Sequence, residues 1–162
     1  ITNKSNIALC ATNADCIVLM MYDAQKHVIA NVHSGWKGTV QKIAAKTIDK
    51  MQEQYNCNPK DIICCISPSI RKCHFEVDKD VKEAFLEVFQ KETDSIEQAQ
   101  EKWHIDTVKI NIEMLKEKGL REENIIDSKI CTVCNCSQIH SYRGSKHHNG
   151  LEMGIIELRA KA

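Results

Sequence analysis

The sequence has 162 residues, with 22 lysines and arginines against 22 aspartates and glutamates. That balance offers no net field to attract nucleic acid or an anionic membrane, and no apolar run reaches the roughly 18 residues of a membrane span. The length suits one domain able to bury a core of its own. Nine cysteines are many, but the odd count and the adjacent Cys64 and Cys65 fit a secreted disulfide framework poorly. They predict a reducing, cytoplasmic setting in which most thiols pack as small hydrophobes. No basic-then-apolar leader opens the chain. It starts at Ile1, just ahead of a strand, so a further N-terminal part is expected.

Ile7 to Ala11 reads as a strand leading into Asn13-Ala14-Asp15-Cys16. Two apolar runs follow, Ile17 to Tyr22 and Val28 to Val32, and the polar turn between them makes a hairpin. With Ala24 and Gln25 as a two-residue loop, Cys16 falls directly opposite His33, their Cβ atoms roughly 4.5–5.5 Å apart. The turn lacks the Asn-Gly or Asp-Gly that would pin its type, so the register is open to a slip. From Trp36 the period becomes helical, and Val40, Ile43, Ala44, Ile48, Met51 and Tyr55 predict one amphipathic helix of about five turns. Asn56 to Pro59 ends it.

Asp61 to Ser67 reads as a short buried strand stopped by Pro68. Asp78 is placed to cap a second helix whose Val81, Ala84, Phe85, Val88 and Phe89 share a face. Residues 91–102 are polar and predict a surface stretch. Asp106 precedes a third helix with Ile105, Val108, Ile112 and Leu115 on one side, Lys116 and Lys118 near its end and Gly119 just beyond. Ile125 to Thr132 and Met153 to Leu158 read as closing strands. No repeat, linker or low-complexity tract divides the chain.

A thiolate and an imidazole at the Cys16–His33 separation can share a metal ion or act as nucleophile and base; packing and strand termination are the plain alternatives. Gly35 to Gly38 lie where a strand passes into a helix N-terminus, a natural anion site to which Lys37 adds charge, though glycine there can also merely ease a tight turn. Asp15 is open to three roles: orienting His33, general acid/base work, or a structural turn. Cys131-x-x-Cys134-x-Cys136 with His140 suggests a structural zinc, against surplus thiols near a surface loop. His74-Phe75-Glu76 imitates the His-x-Glu of zinc base deaminases. The Cys-x-x-Cys at 131–134 is far downstream and follows Ile130 rather than a proline, so this reading is set aside.

Asn13-Ala14-Asp15-Cys16 paired with His33-Ser34-Gly35-Trp36-Lys37-Gly38 resembles the Thr-Ala-Asp-Cys and His-Ala-Gly-Trp-Arg-Gly motifs of the YfiH-like family. Those proteins were formerly labelled polyphenol oxidases or laccase-domain proteins and are now described as purine nucleoside phosphorylases with adenosine deaminase activity. Ser67-Pro68-Ser69-Ile70 with Cys73 to Val77, the Asp106, Asn111 and Leu115 spacing, and Cys131-Thr132 with Ser141-Tyr142-Arg143 extend the likeness through the chain. The resemblance implies an α/β protein of α+β type, a mixed β-sheet sandwich with flanking helices in the YfiH/cytotoxic-necrotizing-factor-like fold. Residues 1–162 would be a single unit, the C-terminal two-thirds of the complete family domain. It further implies zinc, with copper as the alternative, held by Cys16 and His33 together with a histidine from an upstream Gln-Val-His-Gly motif that has no counterpart here. His140 or His147 could substitute.

Catalytic work would fall to Cys16, His33 and Asp15, and phosphate or substrate contact to Lys37, Gly38 and Arg143. Three positions depart from the family pattern. Lys37 replaces an arginine and cannot make its bidentate contact, Gly144 replaces a second arginine, and Val18 stands where a proline is common. The implied reaction is phosphorolysis of adenosine or inosine, with small-molecule partners rather than nucleic acid or membrane. Copper-dependent phenol oxidation, a thiol hydrolase built on Cys16 and His33, and a fragment without turnover are the competing readings. The seven histidines contain no His-x-His pair of the kind multicopper sites use.

Overall fold

The computed structural model describes residues 1–90, 93–145 and 150–160. The expected hairpin forms from β2 (Ile17–Asp23) and β3 (Val28–Ser34), but four residues join the strands instead of two. The Asp23 carboxylate accepts a hydrogen bond from the Lys26 amide at 2.9 Å, and His27 turns into the left-handed region at φ 55°. His33 therefore pairs with Val18 rather than Cys16. The slip is of two residues. An even slip keeps every side chain on its face, so Cys16 and His33 become diagonal neighbours on the same side.

β2 also pairs antiparallel with β4 (Ile62–Ile66), and β4 pairs parallel with β8 (Ile125–Asp127), giving the order β3-β2-β4-β8. One face of this sheet supplies Leu19, Met21, Ala30 and Val32 to the core shared with α2 (Ile43–Tyr55) and α4 (Thr107–Glu117), whose Ile48, Met51, Ile110 and Leu115 are buried. The other face meets an antiparallel ribbon of β1 (Ala8–Asn13) and β9 (Glu152–Glu157). Asn31 joins the layers by donating to the Leu9 and Gly154 carbonyls, each at 2.8 Å. Gly154 allows that approach, since a Cβ there would lie 2.8 Å from Val18 Cγ1.

Two sequence expectations are corrected, and one is extended. The helix read as continuous from Trp36 breaks at Gln41–Lys42 into α1 (Trp36–Val40) and α2, with Lys42 at φ 57°. Both break residues are polar, so the apolar period passes over them unmarked. The polar stretch read as surface is largely exposed, but it holds β6 (Ile96–Ala99) and runs into β7 (Lys102–Ile105), and these join β5 (Glu76–Val77) in a third sheet; residues 91 and 92 lie outside the described ones. Finally, the closing strand expected to reach Thr132 stops at Asp127, where Lys129 at φ 57° turns the chain. Asp106 caps α4 by accepting from the Lys109 amide, whereas Asp78, ahead of α3 (Lys79–Val88), makes no side-chain capping bond. Among the described residues no helix is long and apolar enough to cross a membrane.

Candidate metal and nucleoside site

His33 stands near the end of β3, where the β1 backbone fixes its ring. Nδ1 lies 2.8 Å from the Thr12 carbonyl oxygen. A carbonyl only accepts, so Nδ1 carries a proton, and in the neutral ring this leaves the lone pair on Nε2. Nε2 and Cys16 Sγ then flank one point. An ideal Cβ on Gly35 would sit 3.5 Å from Nε2 and 3.1 Å from Sγ. Gly35 has φ −70°, which any residue adopts; glycine is needed there for space, not for conformation. Burial, and after it the neighbouring Asp15 carboxylate, raise the Cys16 thiol pKa above its ordinary value.

Beside these donors lies a cleft of about 180 Å³, with Trp36, Ile70, Phe75, Thr107 and Tyr142 among its walls and Asp15, Cys16 and Gly35 along one side. That is below the roughly 300–1,000 Å³ of a drug-sized ligand pocket, so it accommodates one part of a nucleoside. A larger hollow of about 340 Å³ near Lys42, Phe89 and Met114 lies elsewhere and lacks such donors.

Asp15 does not orient His33; the Thr12 carbonyl does. The Asp15 carboxylate accepts from Thr132 Oγ1 at 2.6 Å, Ser141 Oγ at 2.7 Å and the Arg143 amide at 2.7 Å. Its backbone sits at φ 86°, a strained setting costing about 1–3 kcal/mol that these three bonds help to hold. Asp15 thus ties the 131–143 segment to the residue before Cys16. Arg143 reaches the same cleft, with Nη1 donating to the His74 and Glu76 carbonyls at 3.3 and 3.1 Å.

Lys37 and Gly38 are not among the residues lining the cleft. The Lys37 ammonium lies 5.5 Å from the Trp36 ring centre. A Cβ on Gly38 would meet Ile43 Cγ2 at 3.3 Å and the His33 carbonyl at 3.6 Å, so this glycine seats α1 against its neighbours. Sequence reasoning missed the polar network behind this corner. Ser34 donates to Asn111 Oδ1 at 3.2 Å, and Asn111 Nδ2 donates to Thr39 Oγ1 at 3.1 Å and to the Thr107 carbonyl at 2.8 Å. All four residues are buried. The network ties α1 and α4 to β3.

The cysteine-rich loop assembles differently from its sequence reading. Cys131 and Cys134 meet Cys73 and His74, while Cys136 and His140 stay outside the group. His140 instead accepts from the Gly150 amide through Nδ1, and His147 lies outside the described residues. Burial pushes the Cys131 thiol up, but hydrogen bonds from the Cys134 and Arg71 amides and from the Cys73 and His74 side chains outweigh it and hold the pKa at about 6. Spatially, His74 does reach a Cys-x-x-Cys pair, which sequence separation had argued against. Glu76 faces Lys102 and His104, however, and not the sulfurs.

Residues 1–159 match the family described as multi-copper polyphenol oxidoreductase laccase. The chain belongs to this family. It is 31% identical over 159 residues to the purine nucleoside phosphorylase YlmD of Bacillus subtilis, covering 98% of this chain and 57% of that protein. It is 31% identical to the adenosine deaminase RL5 of an unknown prokaryotic organism, over 88% of this chain and 55% of the relative. The crystal structure of the Bacillus licheniformis hypothetical protein YfiH superposes with a TM-score of 0.92 at 28% identity, over 97% of this chain and 60% of that one. The chain thus spans little more than half the length of these relatives, and it has the mixed α/β fold expected of it.

The donor chemistry can be tested against the family's name. Cys16 Sγ and His33 Nε2 suit a zinc ion, one thiolate and one correctly presented imidazole. A multinuclear copper cluster needs several close histidines. Among the described residues the one group of three or more close donors is Cys73, His74, Cys131 and Cys134, with a single histidine. Among the described residues these donors match zinc better than a multinuclear copper cluster.

Proposed function

We propose that the Cys16–His33 corner belongs to a phosphorolytic site that splits adenosine or inosine with phosphate into free base and ribose 1-phosphate. One observation carries the reading: a sulfur and an imidazole nitrogen flank the space that Gly35 leaves open, beside an aromatic-walled cleft. The substrate class comes from relatives named purine nucleoside phosphorylase. Two donors are one short of the three protein ligands a catalytic zinc takes, so a zinc held here would need a third ligand besides Cys16 and His33. Zinc held there supplies Lewis acidity toward the polar group it faces.

The chain's own residues bind and orient. Trp36, Phe75 and Tyr142 offer faces for a purine ring. Arg143, aimed by its bonds to the His74 and Glu76 carbonyls, holds phosphate, with Lys37 contributing charge from further out. Asp15 positions the Arg143 segment. The Thr12 carbonyl keeps the His33 proton on Nδ1. As the C1′–N9 bond breaks with oxocarbenium character, an oxygen of hydrogen phosphate bonds to C1′, and the proton the phosphate gives up goes to the departing base.

Adenosine deamination at the same donors is the second reading, favoured by the relative named adenosine deaminase. A free-thiol hydrolase is disfavoured, because burial and Asp15 push the Cys16 pKa up, away from the thiolate such chemistry needs. The test is an assay of protein purified at its natural length. Inosine with phosphate should release hypoxanthine and ribose 1-phosphate in equal amounts, falling about a hundredfold or more in His33→Ala and Cys16→Ser. Adenosine should give adenine by phosphorolysis, or inosine and ammonia by deamination. Absence of base release from metal-replete wild type overturns the proposal, and oxygen uptake with a phenol would favour oxidation.

A further inference from the structure

We propose a second metal centre in this chain, a structural zinc site formed by Cys73 Sγ, His74 Nδ1, Cys131 Sγ and Cys134 Sγ. The four atoms lie within 4.8 Å of one another. They come from two loops remote in sequence, one entering β5 and the other following β8. Zinc bonds of about 2.3 Å to sulfur and 2.0 Å to nitrogen require tetrahedral edges of about 3.8 Å between sulfurs and about 3.5 Å between sulfur and nitrogen. The Cys73 sulfur lies 3.7 Å from that of Cys131 and 3.9 Å from that of Cys134. His74 Nδ1 lies 3.1, 3.7 and 3.5 Å from the Cys73, Cys131 and Cys134 sulfurs. Four of these five edges match within a few tenths of an ångström, so binding requires little movement.

Other accounts of the cluster fit less well. Thiols are weak donors and acceptors, so they give little reason to gather three sulfurs around one imidazole nitrogen. A disulfide would join two sulfurs at about 2.05 Å and leave the third thiol and the ring unpaired; all the cysteines here are free. Three thiols and an imidazole select a borderline-soft cation such as zinc over magnesium or calcium. On binding, thiol protons pass to solvent. Four protein donors fill the tetrahedron, which marks a structural role rather than a catalytic one.

The site is built behind the cleft wall. Thr132, between two of the ligands, donates to Asp15 at 2.6 Å. The His74 carbonyl accepts from Arg143. The two loops already exchange backbone bonds, Ser69 N to the Ile130 carbonyl and Thr132 N to the Ser69 carbonyl, both 3.2 Å. Zinc would lock this junction and with it the segment carrying Tyr142 and Arg143.

The test uses elemental analysis and native mass spectrometry of the purified chain, loaded with zinc and passed through a desalting column. A Cys16→Ser/His33→Ala variant should keep one equivalent of zinc, and Cys73→Ser/Cys134→Ser should lose it. Cobalt in place of zinc should show the intense visible bands of a tetrahedral thiolate site in the first variant. Where the second variant fails to fold, alkylation of wild type followed by peptide mapping decides: zinc should protect Cys73, Cys131 and Cys134 at least tenfold while Cys136 reacts freely. Loss of all zinc with Cys16 and His33, equal alkylation with and without zinc, or a disulfide among the three cysteines overturns the proposal.

Discussion

Gly35→Ala separates the chemistry of the site from its packing. The added methyl would stand 3.1 Å from Cys16 Sγ and 3.5 Å from His33 Nε2, the first about half an ångström inside an ordinary contact of about 3.5–4.0 Å. Overpacking of that size costs about 1–3 kcal/mol. Because Gly35 has φ −70°, alanine is unstrained there and recovers about 0.4–1 kcal/mol by stiffening the unfolded chain. A net loss of about 0–2.6 kcal/mol lowers Tm by no more than about 10 °C. The metal should respond far more strongly, since the methyl would stand close to both donors. We expect zinc affinity at this site to fall about a hundredfold, or about 2.7 kcal/mol. Cadmium NMR, in which a one-thiolate site resonates apart from a three-thiolate site, reads it separately. Wild-type affinity in a folded Gly35→Ala protein would refute the assignment of this space to the metal.

Asp15→Asn removes acceptor capacity from a buried carboxylate holding three donors, and should cost about 1–3 kcal/mol; melting curves would register it, and KM should rise more than kcat falls if Asp15 only positions. Arg143→Ala should raise the phosphate KM about tenfold, worth about 1.4 kcal/mol, against less than about threefold for Lys37→Ala, as steady-state kinetics would resolve. The Asp127 pKa has opposing influences: burial raises it, but the bidentate Arg71 bonds at 2.8 and 2.7 Å and the Lys129 amide prevail and lower it. A carboxylate with a depressed folded pKa contributes stability that is present above its unfolded value of about 3.9 and is lost as pH falls through the folded one. Tm measured against pH should therefore drop below about pH 4 more steeply in wild type than in Asp127→Asn.

The sequence made the site's neighbourhood legible because the hairpin's apolar alternation survives an even register slip. Cys16 and His33 were assigned to one face from the wrong pairing, and the four-residue loop that Asp23 and His27 create leaves the face intact. The same periodicity hid the α1–α2 break, since Gln41 and Lys42 lie between apolar positions and Lys42 takes up a left-handed conformation that no residue type there announces. β6 and β7 were unreadable for a related reason: a strand with an open face carries polar residues. Asp15 stays open among three roles in the sequence because two of its partners lie 117 and 126 residues downstream. The cysteine cluster shows the limit most clearly. Cys131 and Cys134 announce themselves by spacing, but Cys73 and His74 reach them through long-range contacts, the Ser69–Cys131 bridge and the Arg71 bonds to Asp127 and Ile130, that the sequence does not mark.

Zinc-edge anomalous diffraction from zinc-loaded crystals tests the central claim most directly. The account predicts a peak about 2.3 Å from Cys16 Sγ and about 2.0 Å from His33 Nε2, on the open side of Gly35. Zinc found elsewhere in the crystal, with none between those two atoms, would contradict it.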